Sequence, residues 1–355
     1  MSSSLHTPIC DLFGIRYPLV QTGMGWVSDA TLTAATSEAG GLGILAAATL
    51  STEELDRSIA DIRERTGAPF GVNIRADNPD VDARVDLIIE RGVKVASFAT
   101  APRPHLVAKL KEADVVTLPT IGALRHAEKV AEWGVDAVIA QGAEGGGHTG
   151  SVPTSILLPQ VTSAVDIPVL GAGGFSDGRG LVAALALGAA GIAMGTRFLL
   201  TQESPVPETV KARYLAAQVT DTVVTHAIDG HPQRVIRTRL VNTLERNRVL
   251  RFPLAAWNAV RFRRLTGTSM GDLLREGLDM RRNQGLSWSQ VVMAANAPML
   301  TRATMVDGRL DVGILPTGQV TGRIERLPTV AELIEGIMRE AREVIARLDQ
   351  GRTHE

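Results

Sequence analysis

The chain has 355 residues, 45% of them hydrophobic and 21% charged, enough for one large domain with an ample core and a smaller one beside it. A formal net charge of −1 gives no case for a nucleic-acid or membrane-surface partner. The single cysteine, Cys10, excludes an internal disulfide and fits a reducing compartment.

The N-terminal stretch has neither a charged n-region nor an apolar h-region, so no secretory signal is expected. The longest apolar run, 181–194, is broken by glycines and too short to span a bilayer. A cytoplasmic location is therefore expected.

Strand-length apolar runs occur at 18–24, 42–48, 70–74, 93–99, 115–121, 137–142, 168–173 and 191–196. Most are apolar on successive positions, the pattern of parallel strands covered on both faces. Helical segments lie between them. Ser28-Asp29 opens one over 30–39, and Gly40-Gly41 closes it. Ser51, with Glu54 three residues on, forms a capping box for the next. Strand starts recur about every 22 to 31 residues, the length of one βα unit. Eight units in series predict a (β/α)₈ barrel over 1–205. The alternative is a doubly wound open sheet; the count of eight near-even units, without one dominant GxGxxG after the first strand, favours the barrel.

Beyond 205 the pattern changes. Residues 206–305 are richer in Arg and Trp and predict a smaller, mainly helical insert that covers the substrate. Within it, 246–264 holds six arginines and no acidic residue, with Phe252, Trp257 and Phe262 interleaved. A solvated basic face is the commoner meaning of such a run; the aromatics also suit a ligand-facing lid. Residues 306–355 return to the barrel through an amphipathic helix over 330–348. Thr329 and Glu332 cap it, and Leu333, Ile337, Val344 and Leu348 form its apolar stripe.

Chemistry in such a barrel belongs at the C-terminal ends of the strands. The most informative stretch is 140–150, which packs five glycines and His148 after the sixth strand. Glycine lets backbone approach a flat ligand, and imidazole exchanges a proton near neutral pH. Gly23-Met24-Gly25, Asn73, Gly173-Gly174 and Gly195-Thr196 fall at other strand ends. Loops after the seventh and eighth strands form the usual phosphate site of this fold. A phosphate there and a flat group over Gly23-Met24-Gly25 describe flavin mononucleotide (FMN). For any single glycine cluster a tight turn explains as much; their alignment at one rim carries the case.

Five motifs together resemble the FMN-dependent nitronate monooxygenase family, which includes flavin enoyl-thioester reductases. They are Gln-Thr-Gly-Met-Gly (21–25), Gly-Val-Asn (71–73), Ala-Gln-Gly-Ala-Glu-Gly-Gly-Gly-His (140–148), Gly-Ala-Gly-Gly-Phe-Ser-Asp-Gly-Arg (171–179) and Met-Gly-Thr-Arg-Phe (194–198). The likeness returns at Gly318-Gln319. It implies FMN contacts from Gly23, Met24, Gly25, Asn73, Gln141, Gly146, Gly173, Gly174, Gly195, Thr196, Gly318 and Gln319. It also implies His148 as catalytic acid/base, NAD or NADP as redox partner, and no metal. Val320 departs from the small or hydroxylated residue common at that position in nitronate oxidisers.

Gly-Val-Asn-Ile-Arg-Ala-Asp (71–77), Trp-Ser-Gln-Val-Val-Met-Ala-Ala-Asn (288–296) and the arginine-rich stretch resemble one subgroup of bacterial steroid degradation. That subgroup acts on CoA thioesters of the hydrindane ring remnant. The resemblance implies hydride exchange between flavin and the α,β-carbons of an acyl-CoA; the six-arginine run suits the several phosphates of CoA, so Arg263 and Arg264 are expected to meet them. Nitronate oxidation by O₂ is the second reading, and a non-catalytic flavin-binding barrel the third. A small-molecule partner is expected, with homo-oligomerisation left open.

Overall fold

In the computed structural model, the described residues are 5–99, 101–246, 257 and 296–351. A short helix, α1 (Pro8–Phe13), comes first. Then follow β1 (Leu19–Gln21), α2 (Ala30–Glu38), β2 (Leu42–Ala46), α3 (Thr52–Arg65), β3 (Phe70–Ile74), α4 (Val81–Glu90), β4 (Val95–Phe98), α5 (Pro104–Glu112), β5 (Val116–Ile121), α6 (Leu124–Glu132) and β6 (Val138–Gln141). A two-residue strand, β7 (Gly147–His148), interrupts the alternation. It resumes with α7 (Thr154–Thr162), β8 (Val169–Ala172), α8 (Gly178–Ala186), β9 (Gly191–Met194) and the short α9 (Thr196–Leu199).

The strands close into a parallel barrel in the order β1-β2-β3-β4-β5-β6-β8-β9, with β1 paired to both β2 and β9. This is the predicted eight-unit barrel, each strand falling inside an apolar run read from the sequence. Side chains alternate across each strand. Leu42 and Ile44, Val116 and Leu118, and Leu170 and Ala172 pack inside the barrel with Ile9, Cys10 and Phe13, so α1 lies against its interior core. The intervening residues Leu45, Val72, Ile74, Ala96 and Phe98 face outward beneath helices α3 to α5.

The two N-caps predicted within the barrel form. Asp29 accepts from the Leu32 N–H at 2.9 Å, and Ser51 and Glu54 make a reciprocal capping box. Buried Gln21 satisfies its amide within the barrel end: Nε2 donates to Ser28 Oγ at 2.8 Å, and Oε1 accepts from the Ile44 N–H at 3.3 Å. Ser28 Oγ in turn accepts from the Met24 N–H at 2.9 Å. The glycine loop after β1 is thus shaped from below by two buried polar side chains.

Beyond the barrel come α10 (Glu208–Leu215), the antiparallel pair β10 (Thr222–Thr225) and β11 (Gln233–Ile236), and α11 (Arg239–Arg246). The strand pair is absent from the sequence reading, which foresaw helix here. Helix α12 (Asn296–Met305) follows, then a 3₁₀ turn at Gln319–Arg323 and the long α13 (Val330–Gly351). Thr329 and Glu332 cap α13 as expected, with Glu332 accepting from the Thr329 N–H at 2.8 Å. It returns to the barrel by packing on α8. Gly178 is obligatory there, because a Cβ would lie 2.4 Å from Ala341 N. The apolar stripe stops short of its predicted end: Leu348 is 61% exposed, because the last turns of α13 run past the surface that covers Leu333 and Ile337. Among the described residues no helix is long and apolar enough to cross a membrane.

Candidate functional site

Because all eight barrel strands are parallel, their C-terminal ends share one rim, and the sequence-predicted glycines gather there. Gly23 lies against Asn73, so closely that a Cβ on Gly23 would be 2.4 Å from Asn73 Cβ. A Cβ on Gly195 would be 3.3 Å from Met24 Sδ, which joins the β1 and β9 loops. Gly25 stands apart from this contact, nearest Thr49. Asn73 is buried, and its amide donates to Ser97 Oγ at 3.2 Å.

On the other side of the rim, Gly173 and Gly174 follow β8 with φ of +91° and +84°. Two successive left-handed residues are open to glycine at little cost. The Gly174 N–H makes no hydrogen bond among the described residues. Next to Gly174 is Glu144, whose carbonyl accepts from the Gln319 N–H at 3.0 Å. The Thr196 hydroxyl accepts from the Gly318 N–H at 2.9 Å. Gly146 is pressed against the same segment: a Cβ there would be 2.4 Å from the Thr317 carbonyl carbon. The structure therefore brings Gly146, Gly174, Thr196, Gly318 and Gln319 into one cluster, although they are spread over nearly half of the chain. Val320 turns the other way, into the hydrophobic core with Leu315 and Ile324.

The 140–150 stretch is more than a loop. Gly147 and His148 form β7, which pairs antiparallel with β11 so that His148 stands opposite Gln233. Directly opposed residues project to the same face, which brings Gln233 to the imidazole. Two further bonds hold the stretch to the strand pair. Arg234 donates to the Ala143 carbonyl at 2.8 Å, and the Thr149 N–H donates to the Pro232 carbonyl at 3.1 Å. Gln141 Nε2 donates to the His148 carbonyl at 2.8 Å. His148 is thus fixed at both its backbone and its ring.

The ring contact is with Asp229, a residue the sequence reading did not single out. Its Oδ2 lies 2.8 Å from His148 Nε2, while the His148 side chain is 58% exposed and that of Asp229 only 5%. Burial pushes the Asp229 carboxyl up. The hydrogen bond and charge of His148, with the His231 N–H and the Gln233 amide, outweigh that and hold it below the ordinary 3.8 of an aspartate. Asp229-Gly230, in the seven residues between Thr-Val-Val-Thr (222–225) and Gln-Arg-Val-Ile (233–236), is a turn dipeptide that marks this connection. Gly230 has φ +90°, as such a turn requires. Arg75, at the end of β3, is paired with Asp77 at 2.6 Å, and the Asp229 carboxylate adds to the negative field that raises its pKa.

Arg263 and Arg264, like Arg248, Arg251 and Arg261, lie outside the described residues. Arg246 ends α11 and is exposed.

The family model of nitronate monooxygenase matches residues 6–84 and 80–340. The chain is 54% identical over 348 residues to a Rhodococcus jostii protein, (3aS,4S,5R,7aS)-5-hydroxy-7a-methyl-1-oxo-octahydro-1H-indene-4-carboxyl-CoA dehydrogenase, covering 98% of each chain. It is 55% identical over 341 residues to a Mycobacterium tuberculosis protein of the same name, covering 95% of this chain and 96% of that one. Among solved structures, FabK from Thermotoga maritima aligns with a TM-score of 0.79 and 34% identity, over 97% of this chain and 99% of its own. A nitroalkane oxidase from Streptomyces ansochromogenes aligns with a TM-score of 0.75 and 30% identity, over 96% and 99%. Matched by that family model over nearly its whole length, the chain belongs to the nitronate monooxygenase family and is an oxidoreductase.

Proposed function

We propose that the protein is an FMN-dependent dehydrogenase that introduces a double bond between the α- and β-carbons of a hydrindane-ring CoA thioester. The observation that carries this reading is the end-to-end similarity to two dehydrogenases named for that thioester.

The rim suits FMN. Left-handed Gly173 and Gly174, with room at Gly174 and its N–H unbonded among the described residues, form a polar turn for a phosphate, and the neighbouring Glu144 and Gly318 link it to the Thr196 hydroxyl. We assign the phosphate to Gly173, Gly174, Gly195 and Thr196, with Gly146, Gly318 and Gln319 closing over it. The flat ring system falls to Gly23, Met24, Gly25, Asn73 and Gln141. FMN bound there supplies an acceptor for a hydride.

His148 supplies the other half of the chemistry. In the thioester named for the relatives, C4 carries the thioester carbonyl, so the C4–H is the acidic α-proton. His148, half-exposed at the rim and fixed by β7, takes this proton while the β-hydrogen leaves as hydride. The protein's task is to hold the α-carbon at the imidazole and the β-carbon at the hydride acceptor. NAD or NADP is proposed to take the electrons onward. The CoA phosphates are assigned to the arginine-rich stretch, Arg263 and Arg264 included, since charge-assisted guanidinium–phosphate bonds are strong and directional.

Nitronate oxidation is the reading favoured by the family's name and by the nitroalkane oxidase likeness. Anaerobic titration separates the two. Bleaching of the bound flavin by the hydrindane thioester, followed by recovery with NAD⁺ or NADP⁺, supports the dehydrogenase. Bleaching by alkyl nitronates alone would replace it.

A further inference from the structure

The turn between β10 and β11 holds a buried carboxylate with both oxygens engaged. Asp229 Oδ1 accepts from the His231 N–H at 3.1 Å, and Oδ2 accepts from the Gln233 amide. The same Oδ2 lies 2.8 Å from His148 Nε2. Shaping the turn needs only the Oδ1 bond, which an asparagine would make equally well. A buried ionised carboxylate is costly unless its charge is answered. The second oxygen therefore calls for its own explanation.

The ring geometry offers one. Gln233 Nε2 and His148 Nε2 are 3.1 Å apart, and both lie within bonding distance of the one oxygen. Two nitrogens converging on a carboxylate oxygen both act as donors, so His148 carries its proton on Nε2. Its other nitrogen, Nδ1, makes no hydrogen bond among the described residues, and the ring is more than half exposed. In a neutral imidazole the hydrogen bond of one nitrogen decides which atom is free to accept a proton.

We propose that Asp229 is a positioning residue for the reaction: it fixes the proton on His148 Nε2, leaves Nδ1 as the atom that exchanges the substrate proton, and balances the imidazolium that results. This rests on His148 being the acid/base. In the forward step the α-C–H bond breaks and its proton goes to Nδ1, while the electron pair stays on the α-carbon in conjugation with the thioester carbonyl. The ring gains one positive charge beside one negative charge, so the pair is neutral after the transfer. Among the described residues, the charged and titratable groups recorded near the pair are His231, with its ring centroid 6.0 Å from that of His148, and Arg75, which feels the Asp229 charge while paired with Asp77; His226 lies in the same turn, on the Gly230 carbonyl. The position of the Asp229 carboxyl below its ordinary range agrees with a permanent anion at neutral pH.

The test compares D229N, D229E and H148A holoenzymes with wild type and reads the imidazole by ¹⁵N NMR. In wild type, Nε2 should show the signature of a protonated nitrogen and Nδ1 that of a free one. In D229N, whose amide can donate to the ring, the tautomer should shift toward Nδ1–H. Its kcat should fall about 10²- to 10⁴-fold, the range seen when an acid/base or its orienting partner is removed. KM and flavin content should stay near wild type, and the isotope effect with α-deuterated thioester should rise. D229E should recover part of the rate. A proton on Nδ1 in wild type overturns the proposal whether or not any variant folds. An inactive H148A beside a D229N with normal kcat, isotope effect and tautomer would make Asp229 a turn-forming residue only. Full activity in H148A would remove the acid/base reading itself, and the proposal with it.

Discussion

Trp26 Nε1 donates to the carbonyl oxygen of Pro298 at 3.1 Å, bonding the glycine loop after β1 to the first turn of α12 across 272 positions. Trp26 pays for this with a left-handed backbone, φ 66°, and Arg302 from α12 lies 5.2 Å over its ring. A bulky side chain in that region is sustained only where its surroundings hold it. Trp26→Phe keeps the ring and removes the N–H. It should lower stability by about 0.5–1.5 kcal/mol, the net worth of one hydrogen bond. Since the same loop carries Met24, flavin affinity should weaken as well. Urea unfolding and flavin titration of the variant check both effects.

Gly146 and Gly147 are neighbours with opposite demands. At 146 a methyl group would meet the Thr317 and Gly318 backbone at 2.4 and 2.5 Å. At 147 the φ is +66° but nothing lies within 4 Å. Gly146→Ala should push the 317–319 segment away from Thr196, with loss of flavin and about 1–3 kcal/mol of stability, typical of overpacking. Gly147→Ala should cost about 1–2 kcal/mol from backbone strain and retain more flavin. Equal flavin content in the two variants would contradict the assignment of residues 317–319 to the cradle.

The barrel was legible because its signals are local. Ser51 and Glu54 are three residues apart, and most of the parallel strands lie in runs that are apolar on successive positions. Removing the cap in Ser51→Ala should cost about 0.5–2 kcal/mol of stability, which urea unfolding of the variant would measure. The glycine clusters were legible for the same reason. What the sequence hid is the pairing between distant segments. β7 has two residues, too few to show any period, and its partner β11 lies about eighty positions on, in a stretch whose composition suggests helix. Asp229 therefore meets His148 only through a fold contact. Leu348 misled in the other direction, because helical periodicity says which face is apolar and not where the neighbouring surface ends.

Asp229 also makes a prediction about acid. A carboxyl whose pKa is depressed on folding adds stability above its unfolded value, and this is lost as pH falls through the folded value. Asp229 is held below 3.8, so its contribution should be intact at neutral pH, begin to fall below about pH 4 and be lost as pH passes through the folded value. The stability gap between wild type and D229N should be widest near pH 6–7 and close toward pH 3. Denaturant unfolding at those pH values measures it. A gap that does not change with pH would mean that folding leaves the Asp229 carboxyl unshifted, and one that grows as pH falls would mean that it is raised.

The central claim is that His148 takes the α-proton of a CoA thioester as hydride leaves the β-carbon. Its most direct test is the anaerobic single-turnover bleaching of bound flavin by the hydrindane CoA thioester, compared between wild type and His148→Ala at equal flavin content. Bleaching in wild type, slowed about 10²- to 10⁴-fold in the variant, is the expected result. Bleaching at the wild-type rate in His148→Ala would contradict it.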